Sequence, residues 1–208
     1  MTNNVSALEL SHPPDPEISG ANMAKSDVPS AKAYRLIYPR PVVLVSCIDP
    51  ETEKPNIITI AWAVPLSINP PMVGVLVAPK RYSHELIERS KEFVINVPTM
   101  EILDKAIKCG KVSGRQHDKF SELGLTPKPG KLIKTPSIEE CVANIECKLV
   151  NQVTTGDHTL FIGEVVVAYV DESAFNGDFI EIERVQNIFQ VGGDVFATLS
   201  KKRFTPSP

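Results

Sequence analysis

Apolar residues fall in short runs separated by turn residues, a pattern that predicts a chain built mainly from β-strands. Three apolar runs rich in β-branched residues predict strands at Val42–Ile48, Met72–Ala78 and Glu92–Val97. One further strand is predicted for Asn56–Ser67, although its apolar residues do not alternate cleanly with polar ones. These four runs lie in the first half of the chain.

A long antiparallel hairpin is predicted in the second half. Apolar and polar residues alternate strictly from Ala143 to Leu149, as in a strand with one buried face. Turn residues follow at Thr155–His158, and the chain returns as an apolar strand over Thr159–Val170. Residues 143 to 170 therefore form one hairpin in this prediction.

Helices are fewer. One is predicted for Ser83–Ser90, and a second would be capped by Thr99 and carry an apolar stripe that includes Ile102 and Ala106. A short third helix is predicted for His117–Leu123, ended by Gly124. Many strands joined by hairpins, with few helices, indicate a closed or nearly closed β-barrel.

The length of 208 residues and the 42% hydrophobic content fit a single domain, predicted for residues 31–203. Residues 1–30 are poor in large apolar side chains and are predicted to form a flexible tail. Residues 204–208 are predicted to be loose as well.

Charge and composition narrow the class of protein. The net charge is −3 and the pI about 5.8, without a basic run, so a nucleic-acid partner is not expected. No apolar stretch is long enough to span a membrane, and no secretory signal is apparent, which predicts a cytoplasmic protein. The four cysteines form no C-x-x-C pair. We expect reduced thiols, two of them buried, rather than a metal site.

Common catalytic signatures are absent from the sequence. It contains no G-x-G-x-x-G, no P-loop, no G-x-S-x-G and no H-E-x-x-H motif, and its four histidines are isolated from one another. The sequence therefore argues against a Rossmann dinucleotide site and against the familiar hydrolase and zinc-enzyme classes.

A polar cluster, Lys80–His84, opens the first predicted helix directly after an apolar strand. The N-terminus of a helix offers unpaired N–H groups, to which Ser83 adds a hydroxyl and Arg81 a guanidinium suited to phosphate oxygens. One interpretation is a seat for a phosphate group. An ordinary serine N-cap beside a solvated arginine explains the same residues.

Three further positions allow both a functional and a structural interpretation. Trp62, the only tryptophan, is flanked by alanines that would let a planar ligand approach the backbone, but it also suits a core. His158 lies at a predicted hairpin tip, where functional residues and solvated turn residues both occur. The helix that carries Lys119 follows a glycine-containing loop, and it is equally typical of a charged surface helix.

Taken together, these segments resemble the flavin reductase-like proteins of the FMN-binding split barrel, and most of all the flavoredoxin branch. The resemblance covers about residues 33 to 200. The segments that carry it occur in the family's order: Tyr38–Val42, Asn56–Ala61, Asn69–Pro71, Lys80–Ser83, Phe93–Pro98, Ser113–Gly114 with Asp118–Phe120, and Gly156–His158.

The resemblance implies a bound FMN and assigns residues to it. The strand with Asn56, Thr59 and Ala61 would lie along the ring and the ribityl chain, and the phosphate would bind at Arg81 and Ser83. The remaining residues that the resemblance brings to the flavin are Trp62, Lys119, His158 and Phe189. Gln190 stands where relatives often have a histidine, so a role for a histidine there is not expected.

The function implied is an NAD(P)H-dependent FMN oxidoreductase, in which the flavin performs the redox chemistry and no residue is assigned a catalytic role. Two alternatives remain open at this point. One is an electron carrier that is reduced by a donor protein, and the other is a non-enzymatic module that binds another planar ligand. The resemblance also implies a homodimer with the flavin near the subunit boundary.

Overall fold

The structure is a computed structural model that describes residues 24–205, and it is mainly antiparallel β, as the sequence predicts. The strands are β1 (Arg40–Pro41), β2 (Val43–Ile48), β3 (Pro55–Ile60), β4 (Ala63–Ser67), β5 (Met72–Val77), β6 (Glu92–Val97), β7 (Pro127–Lys128), β8 (Ser137–Ile138), β9 (Ala143–Thr155), β10 (His158–Val170), β11 (Phe189–Gly192) and β12 (Val195–Ala197). The α-helices are α1 (Tyr82–Ser90), α2 (Leu103–Lys111) and α3 (Lys119–Leu123). Short 3-10 helices cover Ser30–Ile37, Met100–Ile102 and Glu172–Ala174.

Seven strands form one large sheet in the order β3-β2-β6-β9-β10-β5-β4. Every neighbouring pair is antiparallel. The two edge strands, β3 and β4, are consecutive in the chain and are joined only by Ala61 and Trp62. Because so short a connection brings the two edges together, the sheet must curl round on itself, with a seam beside these two residues.

The sheet separates two apolar clusters. One lies inside the curled sheet and contains Phe93 and Phe161 together with Leu86 of α1. The other lies on the opposite face, where Ile57 packs with residues of α2 and α3. Strand β2 is buried along its full length because alternate residues enter the two clusters, with Leu44 in the second.

The strand predictions are confirmed except at one place. Strand β6 has the predicted bounds, and the hairpin of β9 and β10 turns where expected. The single strand predicted for Asn56–Ser67 is wrong, because the chain leaves the sheet after Ile60 and re-enters it at Ala63 on the opposite edge. The apolar pattern continues through Ala61 and Trp62, so the sequence carries no local sign of the break. The break results from the curvature of the whole sheet.

The helices begin one to three residues away from the predicted positions. Helix α1 begins at Tyr82, with Arg81 as its N-cap residue. Thr99 does not cap α2, because the 3-10 helix Met100–Ile102 lies between them, and its side chain makes no capping hydrogen bond there. Asp118 caps α3 by accepting a hydrogen bond from the Ser121 N–H, and Gly124 ends the helix in the left-handed conformation (φ 59°), as predicted.

The predicted termini are largely outside the described residues, since residues 1–23 and 206–208 are not covered, and the domain bounds of 31–203 remain a prediction. All four cysteines are free and buried, rather than the two expected. Across residues 24–205, no helix has the length and apolar character needed to cross a membrane. Within the same range, no group of three or more histidine, cysteine or acidic side chains is arranged to hold a metal ion.

Candidate functional site

A groove of about 450 Å³, here called the long groove, runs along the seam of the sheet. One wall is the end of β3 with the two residues that follow it, and the other wall is the end of β5 with the start of α1. Its lining residues are Ile58–Trp62, Leu76–Arg81, Gly110, Asp157, His158 and Gln190. The long groove therefore lies between the edge strand β3 and the end of β5.

Trp62 forms an aromatic wall of the long groove and is held in one orientation. Its indole N–H donates a hydrogen bond to the Tyr38 hydroxyl at 2.9 Å. The Tyr34 ring packs edge-on against the indole, with 5.7 Å between centroids. On its other side the indole lies 4.8 Å from the His158 ring. A half-buried indole that is fixed in this way suits contact with a planar ligand.

His158 begins β10 at the tip of the long hairpin and lines the groove beside Trp62. Its Nδ1 lies 2.7 Å from Oδ1 of Asp157, and this hydrogen bond lowers the pKa of the Asp157 carboxyl. Within residues 24–205 the Nε2 atom makes no hydrogen bond. The contact to Asp157 fixes the ring and leaves Nε2 to meet a ligand.

A second, smaller cavity of about 140 Å³, here called the basic cavity, continues from the long groove at Lys80, Arg81 and Gly110. Among residues 24–205, no aspartate or glutamate lines it, and the basic side chains that do are Lys80, Arg81, Lys111 and Lys119. Lys111 is paired with Asp194 at 2.9 Å outside the cavity. Such a lining favours an anionic group over a neutral one.

Ser83 and Asn56 form the floor of the basic cavity. Ser83 lies inside α1 and does not cap it, so the interpretation of Ser83 as an ordinary N-cap is wrong. Its hydroxyl accepts a hydrogen bond from Nδ2 of Asn56 at 2.8 Å, and both side chains are buried. The Oδ1 atom of Asn56 is buried without a partner among the described residues. An unpaired buried acceptor is costly, and a ligand group that donates a hydrogen bond, such as a hydroxyl, can relieve that cost.

Lys119 lies behind the basic cavity and is only 4% exposed. The interpretation of its helix as a solvated surface helix is therefore wrong for this residue. Its ammonium group donates to the carbonyl oxygens of Ile57 and Cys109, both at 2.6 Å. Burial lowers the pKa of Lys119. An ammonium has three donors, so one N–H remains for a group in the cavity that it lines.

The junction of the two cavities lies where α2 approaches β3 closely, and a glycine in α2 keeps it open. The Thr59 hydroxyl donates a hydrogen bond to the carbonyl oxygen of Ala106 in α2. Gly110 lines both cavities, and a Cβ added there would lie 3.1 Å from Cβ of Thr59. A larger residue at Gly110 would narrow the junction.

The structure brings together every predicted site residue except one. Those that line the two cavities are Asn56, Thr59, Ala61, Trp62, Arg81, Ser83, Lys119 and His158. Phe189 lines neither cavity, because it pairs within β11 against Pro41 and Ala197. Its neighbour Gln190 faces the long groove instead, and donates through Nε2 to the carbonyl oxygen of Gly193.

Some lining residues were not singled out from the sequence. Lys80 belongs to the polar cluster that pointed to this region, so the charge pattern could have identified it. Asp157 belongs to the Gly156–His158 segment of the resemblance but was assigned no role there. Gly110 gave no signal, since it looks like an ordinary helical glycine. Their place in the site depends on contacts with residues that are distant in the chain.

Comparison with known proteins shows which family shares this architecture. Residues 34–183 match the family model described as a flavin reductase like domain. An uncharacterized protein of Archaeoglobus fulgidus is 41% identical over 88% of this chain and 99% of its own length. The structure of flavoredoxin from Desulfovibrio vulgaris is 32% identical, with a TM-score of 0.74 over 82% of this chain and 91% of that chain.

The structure of an FMN-binding protein from Thermus thermophilus is 26% identical, with a TM-score of 0.75 over 89% of this chain and 99% of that chain. These neighbours confirm the split-barrel fold that the resemblance implied. The family match covers most of the described residues, including both walls of the long groove. The chain therefore belongs to the flavin reductase-like family.

Proposed function

We propose that this protein binds FMN, with the ring in the long groove and the phosphate in the basic cavity, and acts as an NAD(P)H-dependent flavin oxidoreductase. The observation that carries the proposal is the continuity of the two cavities. An aromatic-walled groove opens into a pocket lined by four cations and no carboxylate. A planar ring joined to a dianionic phosphate matches that sequence of environments.

The residues around the basic cavity fit a phosphate. The N–H groups of Tyr82 and Ser83 make no hydrogen bond among the described residues and lie at the positive end of the α1 dipole, whereas the His84 N–H donates to the Arg81 carbonyl oxygen. Arg81 provides the fork geometry that suits phosphate oxygens. The Ser83 hydroxyl and the free N–H of Lys119 complete a set of donors on the inner side.

The residues around the long groove would orient the ring. The Trp62 indole offers a face, His158 offers Nε2, and the backbone of β3 offers polar groups at the ring edge. FMN supplies the hydride and electron chemistry when bound. The chain's own task is then to bind, to orient and to leave one face of the groove open, and no residue needs to act as nucleophile.

A second candidate function, electron transfer from a donor protein without nicotinamide oxidation, is favoured by the similarity to flavoredoxin. Steady-state oxidation of NADH and of NADPH separates the two functions. Turnover with either nicotinamide supports the reductase. Photoreducible bound FMN without nicotinamide turnover supports the carrier.

An absorption spectrum of the purified protein, followed by FMN titration, tests the binding proposal itself. A flavin spectrum, or tight loading of FMN into colourless protein, is expected. A protein that takes up no FMN would overturn both functions and would favour a module for another planar ligand. Titration also gives the affinities on which the mutational predictions depend.

We expect a homodimer. The 3-10 helix Ser30–Ile37 exposes Leu36 and Ile37 by 68% and 65%, and its Tyr34 packs against Trp62 at the groove. A second subunit that covered this apolar surface would also border the groove. Light scattering should then give a mass of about twice the 22.8 kDa of one chain. A monomer mass with FMN bound would contradict this prediction.

FMN affinity should fall as the pH rises through the lowered pKa of Lys119. Only the protonated ammonium attracts a phosphate, and burial brings its pKa below the ordinary value of 10.5. The nearby thiols of Cys109 and Cys47 have pKa values of about 11 and about 12, so they ionise later.

FMN and riboflavin titrations from neutral to alkaline pH measure this dependence. The ratio of the two affinities should decline with pH, because both ligands carry the same ring and only FMN carries the phosphate. Lys119→Met should flatten the ratio. A ratio that stays constant in the wild type would show that Lys119 does not sense the phosphate.

A further inference from the structure

The segment that joins α2 to α3 closes one side of the basic cavity. Its residues Val112, Ser113 and Gly114 line the cavity opposite α1. We call residues 112–116 the strap. The strap is therefore one wall of the cavity, and its position determines how enclosed the phosphate end is.

On its inner side the strap lies directly against Asn56. A Cβ added to Gly114 would overlap the carboxamide of Asn56, so only glycine lets the strap approach this closely. Oδ1 of Asn56 is the buried atom that lacks a partner among residues 24–205. The strap thus encloses a hydrogen-bond acceptor, which a hydroxyl of a ligand could meet and a phosphate oxygen could not.

The strap is internally braced and should move as one piece. The Ser113 carbonyl oxygen accepts hydrogen bonds from the N–H groups of Gln116 and His117, both at 3.1 Å. The Ser113 hydroxyl accepts a further one from the Arg115 N–H at 3.3 Å. These bonds fold the segment into a turn that carries Gly114 on one side and Arg115 on the other.

On its outer side Arg115 ties the strap to α1. Its Nη2 lies 2.5 Å from Oε2 of Glu85, and its guanidinium carbon lies 4.5 Å from the centroid of the Tyr82 ring. Tyr82 itself lines the basic cavity. Arg115 therefore spans the mouth of the cavity from the strap to the first turn of the helix.

We propose that Arg115 is a positioning residue that holds the strap closed over the phosphate end and thereby sets the dissociation rate of phosphorylated flavin. The inference rests on the proposed function. Arg115 does not line the cavity, so it acts through Gly114 and Tyr82 rather than by touching the phosphate. Contacts that only latch a cover change the rate of escape more than the rate of entry.

Stopped-flow dissociation of FMN and of riboflavin from Arg115→Ala tests the proposal. Loss of an exposed ion pair and a cation–π contact should speed FMN release about fivefold or more. Riboflavin release should be unchanged, because the strap covers only the phosphate end. Glu85→Gln removes the ion pair but keeps the contact between Arg115 and Tyr82, so it should accelerate FMN release by a smaller factor.

Arg203→Ala is the matched control. Arg203 is also an exposed arginine, paired with Glu181 and Glu183 and with its guanidinium carbon 4.8 Å from the Phe179 centroid, but neither it nor these partners line either cavity. Its loss should leave both release rates as in the wild type. This control separates a local latch from a general effect of removing an arginine contact.

The outcomes distinguish the strap from the cofactor assignment. Wild-type protein that binds FMN, with an unchanged release rate in Arg115→Ala, would overturn the strap and leave the proposed function standing. Equal acceleration of FMN and riboflavin would also overturn it, since Arg115 would then act on the fold or on the ring. Wild-type protein that binds no FMN would overturn both.

Discussion

Arg81→Ala should remove most of the preference of this protein for FMN over riboflavin. Riboflavin shares the ring and the ribityl chain but lacks the phosphate. In the wild type the phosphate would meet the Arg81 guanidinium, the Ser83 hydroxyl and the N-terminal end of α1 together. The variant loses the first of these, while the other two remain.

The expected magnitude follows from the kinds of contact involved. Charge-assisted hydrogen bonds contribute about 1.5–3 kcal/mol, and the end of a helix about 0.3–1 kcal/mol. A wild-type preference of at least roughly a hundredfold is therefore expected, since each 1.4 kcal/mol is about tenfold. One charge-assisted contact fewer should lower it by about tenfold or more.

The fold should tolerate the change. Arg81 is the N-cap residue of α1, but its side chain makes no capping hydrogen bond, so alanine removes none. Paired titrations with FMN and riboflavin on wild type and variant measure the effect, and riboflavin serves as the internal control. If both ligands weaken equally, Arg81 acts on the ring or on folding, and the phosphate must bind elsewhere.

Lys119→Met should weaken FMN binding and destabilise the protein at the same time. The sequence of its helix alone predicts a loss of FMN binding without a loss of stability, but the ammonium is buried and joins β3 to the end of α2. Methionine fills similar space and leaves the carbonyl oxygens of Ile57 and Cys109 without this donor.

Unpaired buried acceptors cost about 1–3 kcal/mol each, so the melting temperature should fall by several degrees, at about 2–4 °C per kcal/mol for a chain of this size. Loss of one charge-assisted contact to the phosphate should weaken FMN binding by about tenfold or more. Thermal unfolding without ligand and FMN titration measure the two effects separately.

Lys111→Met is the matched control for this prediction. Lys111 also lines the basic cavity, but its side chain is 54% exposed and pairs with Asp194 near the surface. Its loss should change the melting temperature little, because exposed ion pairs contribute little to stability. Unaltered FMN affinity in Lys119→Met, together with a lowered melting temperature, would limit Lys119 to a structural role.

The parts of the fold that depend on local pattern could be predicted from the sequence. Strand β6 and the hairpin of β9 and β10 carry their own alternation and turn residues, and the end of α3 is marked by Gly124. Each of these signals lies within a few residues of the feature that it specifies. The resemblance to the family then brought most of the site residues together.

Features that depend on distant contacts could not be predicted in this way. Lys119 looks like a surface lysine until the carbonyl oxygens of Ile57 and Cys109 are placed beside it. The break after Ile60 is similar, because the apolar pattern continues while the sheet turns to its other edge. The burial of Lys119 and the break after Ile60 both depend on residues that only the closed sheet brings next to them.

The seam beside β3 has a consequence for mutagenesis. Alternate residues of an edge strand turn their N–H and C=O groups away from the neighbouring strand. The carbonyl oxygens of Ile57 and Ala61 accept hydrogen bonds from Lys119 and Arg40 on this open side, and Thr59 lies midway between them. Thr59 lines the long groove, so we expect its main-chain polar groups to face the groove, where no side-chain substitution removes them. An alanine scan would underestimate how much this strand contributes to recognition, whereas replacing a single amide by an ester would reveal it.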